Sequence, residues 1–295
     1  MKWKSIERAK EKWLEELSYG RDINTIRNLK NHLNRLLEHF DDEPSSITIK
    51  SYHKWLQVAK DKWAESTVSK THSTSIRLLK WMNHKHSKEI ANLRLTVALP
   101  RILTFRADEI NSILKWSFEQ DRPGWQMRCA AFMLILSTSG MRGGECQKLK
   151  WADLNEEEFN FHLTNTKTGT SRFAPIHPKI LPFLKNYRYK MNERLQFNSR
   201  WVFPSFIHPD NFVTYTAITG KLSNEVSNSL GFKINAKKFR STMVKLVIES
   251  GGGYENGARI VGHANIGVTQ RHYHRIKMNP EAQNAHSKAL DGFDF

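Results

Sequence analysis

The chain has 295 residues, of which 39% are hydrophobic and nine are tryptophan. This length and composition argue against a disordered chain and allow two domains with separate cores. Because no apolar run approaches eighteen residues, the sequence predicts no membrane-spanning helix. The charged start, MKWKSIERAKEKW, lacks the apolar core of a secretion signal, and the two cysteines suggest no disulfide framework. We therefore expect a cytoplasmic protein.

The charge of the chain points to a polyanionic partner. The sequence has 46 Lys and Arg against 29 Asp and Glu, a formal net charge of +17. Residues 1–100 hold 19 basic and 12 acidic residues, a net of +7 that leaves +10 for the remainder. An excess spread over both halves is typical of a groove that follows DNA, although a merely soluble basic protein has the same composition. No basic amphipathic anchor stands out, which argues against a membrane partner.

Residues 1–95 are predicted to form a helical first domain. Apolar residues repeat at helical spacing in three stretches, 26–40, 52–59 and 76–82. The polar stretch 41–46 separates the first two and offers Ser45 or Ser46 as a helix N-cap.

Cations and small hydroxyl side chains lie between the apolar positions of this first domain. This mixture suits phosphate contacts from one helix face. The residues predicted to bind DNA there are Lys70, Thr71, Ser73, Arg77 and Lys80. The solvated face of a small helical bundle explains any single one of them equally well.

Residues 95–105, LTVALPRILTF, lack helical periodicity and contain a proline, which predicts a linker. A second domain then spans 104–295. Its first strong feature is a buried apolar helix over 130–136. That helix is predicted to end at Gly140, because glycine readily adopts the left-handed conformation of a helix C-terminus.

Residues 157–178 are predicted to form a β-hairpin. Apolar residues alternate from Phe159 to Leu163, the turn TKTGT follows, and the sequence RFAPI returns. Lys167 lies near the tip of the hairpin. It either reaches a DNA groove, delivers a proton, or is a solvated turn lysine.

Two further segments place cations at the end of a helix or on one. In GMRGGEC, Arg142 follows the buried helix and should be held rigidly, with Glu145 able to orient either a nearby helix or Arg142 itself. Further on, Lys237 and Arg240 share an apparent helix. A glycine break follows, then a Gly-His pair, then a lone tyrosine between two histidines.

Taken in order, these segments resemble the motif Arg, Lys, His-x-x-Arg, Gly-His, Tyr of the tyrosine recombinases, the phage integrase family. The resemblance covers nearly the whole chain, since residues 1–90 resemble the core-binding domain of that family. It implies a mainly α fold with a small β-sheet. A helical core-binding bundle and a mixed α+β catalytic domain would clamp duplex DNA from opposite sides.

The resemblance also implies a catalytic set, which is Arg142, Lys167, Lys237, Arg240, His263 and Tyr273. The arginines and the histidine would stabilise the non-bridging phosphate oxygens, since forked guanidinium donors match that geometry. Tyr273 would attack to give a 3′-phosphotyrosine, and Lys167 would protonate the departing 5′-oxygen. Lys238 is predicted to bind DNA beside this set. No metal or other cofactor is required, because the arginines stabilise the charge that magnesium stabilises in nucleases.

Two positions depart from the family pattern. Lys237 stands where the family usually has histidine. Tyr273 comes one residue later than the usual tyrosine, whose place His272 holds, and one residue turns a helical side chain by about 100°. Either the loop 264–268 absorbs the extra residue, or the tyrosine is out of register. The histidines at 263, 272 and 274 also suggest a zinc site, but a fourth ligand is not evident.

The function expected from this resemblance is site-specific DNA recombination. A catalytically inactive DNA-binding relative and a type IB topoisomerase-like relaxing enzyme are the alternatives. The expected partners are double-stranded DNA and three further copies of the chain, as a homotetramer on two DNA sites, with accessory DNA-bending proteins as candidates. DNA binding would place the protein at the nucleoid. The tail 280–295 either docks on a neighbouring protomer or stays with its own domain.

Overall fold

A computed structural model describes residues 3–96, 98, 102–164, 171–262, 267 and 270. The chain divides into two compact units, Met1–Pro100 and Arg101–Phe295, and each has its own hydrophobic core. This division falls inside the stretch 95–105 that the sequence predicts as a linker. The described helices include none with both the length and the apolar character needed to cross a bilayer.

The first unit is built from helices whose apolar faces meet in one core. They are α1 (Ile6–Ser18), α2 (Ile23–Leu37), α3 (Ile49–Lys62), α4 (Glu65–Trp81) and α5 (Ser87–Ala91). α2 packs against both α1 and α4. Its leucines at 29, 33 and 36 are buried, as are Tyr52 and Trp55 of α3. The helical periodicity read from the sequence is therefore confirmed.

The connection between α2 and α3 differs from the prediction. Pro44–Ser46 forms a short 3₁₀ helix, and the N-cap of α3 is Thr48. Thr48 Oγ1 accepts a hydrogen bond from the backbone N–H of Ser51 at 3.1 Å, and Ser51 Oγ accepts one from the backbone N–H of Thr48 at 2.8 Å. The prediction of Ser45 or Ser46 as the cap is wrong, because the chain extends only after the 3₁₀ turn and the reciprocal bonds need a serine three residues on.

The second unit is organised around a buried helix. Its described helices are α6 (Ala107–Phe118), α7 (Trp125–Ser139), α8 (Gly143–Cys146), α9 (Leu181–Leu195), α10 (Tyr215–Lys221), α11 (Ser227–Leu230), α12 (Ala236–Val247) and α13 (Gly253–Val261). Every residue of α7 from Met127 to Leu136 is buried. α7 packs against α6, α9 and α12. It ends at Gly140, whose φ of +59° is the predicted left-handed turn.

The predicted hairpin is also present. β1 (Leu154–Asn155), β2 (Asn160–Leu163) and β3 (Arg172–Pro175) form an antiparallel sheet in that order. Phe161 pairs with Ala174, and Leu163 pairs with Arg172 at the end nearest the turn. The turn residues 165–170, and Lys167 with them, lie outside the described residues.

The glycine break after α12 bends the chain back onto that helix. A π-helical turn, Ile248–Gly252, contains Gly251 with a φ of +88° and leads into α13. α13 packs against α12, where Val244 and Val261 form a small buried cluster. Tyr254 packs against this cluster, so it has a structural role in the fold.

Candidate active site and DNA interface

Arg142 lies between α7 and α8 and is held by a carboxylate of its own turn. Its Nη1 donates to Glu145 Oε1 at 2.7 Å, and its backbone N–H donates to Glu145 Oε2 at 2.9 Å. The Arg142 side chain is 31% exposed, whereas that of Glu145 is 6% exposed. The prediction that Glu145 can orient Arg142 is thus confirmed. The carboxylate binds the arginine from the buried side and leaves part of the guanidinium accessible to a ligand.

Glu145 is ionised in spite of its burial. Burial favours a higher pKa for this carboxyl, but the hydrogen bonds from the Arg142 backbone and side chain and the charge of Arg172 outweigh it. The pKa of Glu145 is therefore lowered below its usual range. One negative charge stands between two guanidinium groups, which reduces the repulsion that these two cations would otherwise exert on each other.

α12 brings the second arginine to the same place. Arg240 Nη1 donates to the carbonyl of Gly140 at 3.2 Å, and Gly140 lies two residues before Arg142. The starts of α8 and α12 are also in close contact. A Cβ atom added to Gly143 would lie 2.8 Å from the Cβ of Ala236. The structure therefore brings the two predicted arginines into one region of the second unit.

Two neighbouring lysines of α12 have different surroundings. Lys237 is exposed at the start of the helix, close in sequence to Arg240. Lys238 instead lies over the ring of Phe105, 4.1 Å from its centroid, and its Nζ is 3.3 Å from Glu109 Oε2. Its side chain is 14% exposed. This placement does not bring Lys238 to the arginines, and it gives no support to Lys238 as a DNA contact.

The remaining predicted catalytic residues lie outside the described residues: Lys167, His263 and Tyr273. The segments that lead to two of them are described. β2 ends before and β3 begins after the segment that contains Lys167, and the C-cap of α13 is Gly262, one residue before His263. In the described part of the chain, no three His, Cys, Asp or Glu side chains are placed to hold a metal ion. The histidines of the zinc hypothesis fall beyond that part.

Sequence reasoning missed Arg172, which it treated only as part of a returning strand. Arg172 Nη2 donates to Glu145 Oε2 at 2.6 Å, and Nη1 donates to the carbonyl of Ile260 at 3.2 Å. These partners are 27 and 88 residues away in sequence. No local pattern indicates such contacts, so only the folded arrangement identifies this arginine.

A groove in the first unit forms the second candidate interface. Its volume of about 570 Å³ is within the range of small-molecule sites, but most of its lining residues are polar or charged, which suits a nucleic acid better than an apolar ligand. It lies between α2 and α4 and is lined by Thr25, Asn28, Asn31, His32, Arg35, Thr67, Ser69, Lys70, Ser73 and Thr74. The sequence did not predict the α2 side chains of this groove, because the leucines dominate the pattern of that helix. The polar positions 28, 32 and 35 each precede one of the buried leucines and therefore lie about 100° from them, on the adjoining face of the helix.

The predicted DNA contacts on α4 separate into two groups. Lys70, Ser73, Arg77 and Lys80 are exposed, and their spacing of three, four and three residues puts them on one helix face. Thr71 is fully buried, and its hydroxyl lies 3.0 Å from His32 Nδ1. It therefore supports the groove through the histidine and does not itself face a ligand.

The groove owes its charge to Arg35 and Lys70. Burial lowers the pKa of His32, and the charges of Arg35 and Lys70 lower it further. Since the ordinary pKa of histidine is about 6.5, the imidazole is neutral at pH 7. His32 can then offer a hydrogen bond to a phosphate or a base without adding to the positive charge.

Comparison with known proteins gives a consistent result. The model of the "Phage integrase family" matches residues 104–279. The chain is 25% identical over 180 residues to the tyrosine recombinase XerC of Pediococcus pentosaceus, an alignment that covers 59% of this chain. The match spans 58% of the length of that relative.

Solved structures show the same fold. The chain is similar to a lambda integrase dimer bound to a COC′ core site, with a TM-score of 0.72, 16% identity, and coverage of 91% of this chain and 95% of that one. It is also similar to a lambda integrase tetramer bound to a Holliday junction, with a TM-score of 0.69, 17% identity, and coverage of 88% and 78%. The predicted fold class, mainly α with a small β-sheet, is confirmed.

The close contact between α8 and α12 predicts that an alanine in place of Gly143 lowers the stability of the second unit. We expect Gly143→Ala to destabilise the second unit by about 1–3 kcal/mol, because its Cβ overpacks the junction. That Cβ would lie 2.8 Å from both Ala236 and the ring of Tyr215. Gly144→Ala is the matched control, since nothing lies within 4 Å of its added Cβ. Urea denaturation of the full chain measures both. Equal midpoints for the two variants would contradict the close packing of these helices.

Proposed function

This chain belongs to the phage integrase family, and from that premise we propose that it is a site-specific DNA recombinase. It cleaves and rejoins DNA strands through a covalent 3′-phosphotyrosine, without a metal ion. The observation that carries the proposal is the placing of Arg142 beside Arg240. Arg240 bonds the carbonyl of Gly140 at the end of α7, and the Arg142 guanidinium is accessible and held by a buried carboxylate.

The two guanidinium groups suit the charge that develops on a reacting phosphodiester. In the pentavalent transition state, negative charge accumulates on the non-bridging oxygens. Arginine offers forked donors to these oxygens, and donors fixed before the reaction pay little reorganisation cost. Glu145 holds Arg142 in place, and the Gly140 carbonyl anchors Arg240. Lys237 is exposed at the start of the same helix and adds a phosphate contact.

The chemical step requires one nucleophile and one acid. The Tyr273 oxygen forms a bond to phosphorus, and the bond from phosphorus to the 5′-oxygen breaks. Lys167 gives a proton to the departing 5′-oxygen, and the tyrosine proton passes to a base or to water. Attack by a 5′-hydroxyl on the phosphotyrosine reverses these steps and rejoins the strand. In this proposal the loop 264–268 absorbs the extra residue before Tyr273.

The first unit supplies a second contact with duplex DNA. Lys70 and Arg77 lie on one face of α4, and Arg35 of α2 lines the groove together with Lys70. Phosphate contacts of this kind position a protein on DNA without reading its sequence. The net charge of +17 supports the same partner.

The assembled form proposed here is a homotetramer on two DNA sites. Support comes by analogy from lambda integrase, which has been solved as a dimer bound to a core site and as a tetramer bound to a Holliday junction. The tail 280–295 is proposed to help join the protomers.

The covalent intermediate gives the sharpest test of this function. Protein incubated with sheared DNA of the source cell should yield adducts that survive denaturation, and their sequence supplies a defined nicked duplex. On that duplex the nick lets the cleaved fragment diffuse away, so the adduct accumulates. We expect Tyr273→Phe to abolish the adduct, measured as a shifted band on a denaturing gel, because the phenol oxygen is the nucleophile.

Tyr254→Phe is the matched control. This tyrosine packs against the small cluster around Val244 and Val261, so its variant should retain the adduct. An adduct that persists in Tyr273→Phe would overturn the assignment of the nucleophile. DNA binding without any adduct would favour the inactive DNA-binding relative. An adduct with relaxation of supercoils, but without exchange between two sites, would favour the topoisomerase-like alternative.

A separate prediction concerns how the salt concentration changes the DNA affinity of the groove in the first unit. Lys70→Ala should lower DNA affinity and reduce the slope of log affinity against log salt by about 1, the value for one lost phosphate contact. Lys12→Ala is the matched control, because this exposed lysine is paired with Glu15 on α1. Fluorescence anisotropy at several salt concentrations measures both slopes. An unchanged slope for Lys70→Ala would contradict the proposed interface.

A further inference from the structure

We propose that Arg172 is a positioning residue for strand cleavage, which sets the geometry of the catalytic groups around it without touching the phosphate. This inference rests on the proposed function. The observation behind it is that one guanidinium group contacts both the Glu145 carboxylate and the end of α13. Arg172 itself is the first residue of β3.

The first contact is with the carboxylate that orients Arg142. Glu145 Oε1 accepts from Arg142 Nη1 at 2.7 Å, while Glu145 Oε2 accepts from Arg172 Nη2 at 2.6 Å. Each carboxylate oxygen thus has its own guanidinium donor. Arg172 fixes the rotation of the carboxylate, and the carboxylate in turn fixes Arg142. Oε2 also accepts from the Arg142 backbone N–H at 2.9 Å, so without Arg172 the carboxylate would be held only by its own turn. It could then shift together with that turn and carry the Arg142 donors with it.

The second contact is with the end of α13. Arg172 Nη1 donates to the carbonyl of Ile260 at 3.2 Å. The side chain also lies directly on Gly262, where an added Cβ would be 2.6 Å from both Cδ and Nε of Arg172. Gly262 has a φ of +69°, so the chain turns sharply there before His263. Arg172 therefore sets the position from which the segment with the proposed histidine departs.

The third link is the strand that contains Arg172 itself. Arg172 is the first residue of β3 and pairs with Leu163 at the end of β2. In sequence, the segment that contains Lys167 runs between these two residues. A side chain anchored to both α8 and α13 thus ties the base of this hairpin to the arginine side of the site.

Lysine at this position would not perform the same task. The Arg172 side chain is 13% exposed, so its donors have little access to water. A guanidinium has nitrogen atoms set apart in a plane, which lets Nη1 and Nη2 serve two acceptors at once. An ammonium is a point donor that can retain the charge beside Glu145 but cannot also bond the Ile260 carbonyl at an unchanged backbone.

The test measures the rate of adduct formation on the defined nicked duplex under single-turnover conditions, with protein in excess. We expect Arg172→Gln to lower this rate by roughly 100-fold, the loss caused by a displacement of about 1 Å in a reacting group. DNA affinity should change by less than about threefold, because no phosphate contact is removed. Arg172→Lys should fall between the wild type and Arg172→Gln. Arg188→Gln is the control, because this exposed arginine lies over the ring of Trp151, 5.1 Å from its centroid.

A double-mutant cycle separates positioning from a general effect on folding. If Arg172 acts through Glu145, Arg172→Gln should cost much less in a Glu145→Gln background than in the wild type. Equal losses in both backgrounds would overturn the inference, and so would a wild-type cleavage rate in Arg172→Lys. If Arg172→Gln does not fold, the same cycle with Arg172→Lys decides.

The failure of the proposed function has a different signature. If neither the wild type nor Arg188→Gln forms an adduct, the recombinase proposal fails before Arg172 is tested. If both form the adduct and the Arg172 variants form it equally fast, the recombinase proposal stands and the positioning role does not.

Discussion

The buried carboxylate of Glu145 is the interaction on which the candidate site depends. A site for a phosphodiester must hold several cations close together, and these cations repel one another in a partly desolvated place. Glu145 lies between Arg142 and Arg172 and accepts hydrogen bonds from both. The lowered pKa of its carboxyl reflects this pairing. Because this carboxylate is buried between the two guanidinium groups, its removal would leave both cations without a counter-charge.

The fold supports this carboxylate with a rigid frame. α7 is buried along most of its length and ends in a left-handed glycine at Gly140, whose carbonyl accepts from Arg240. The short α8 starts at Gly143 and leaves room for α12 to approach. Packing therefore determines the backbone positions from which Arg142 and Arg240 extend. The family resemblance suggests the proposed roles, and the packing explains why these side chains have a fixed place.

The sequence predicts well those features that depend on neighbouring residues. The hairpin, the end of α7 and the helical stripes of the first unit follow from periodicity and from glycine conformation. It predicts poorly those features that depend on contacts distant in the chain. Arg172 has partners 27 and 88 residues away, and Lys238 carries the same charge as Lys237 but pairs with Glu109 inside the unit. The ordered motif predicts which residues belong to the site, but side-chain direction depends on the packing of several elements.

The central claim is that the arginine site directs one tyrosine onto a DNA phosphate. The most direct measurement is mass spectrometry of the protein–DNA adduct after digestion with nuclease and protease. The account predicts a nucleotide joined through its 3′-phosphate to the peptide that contains Tyr273. A nucleotide on Tyr254, on another side chain, or joined through a 5′-phosphate would contradict it.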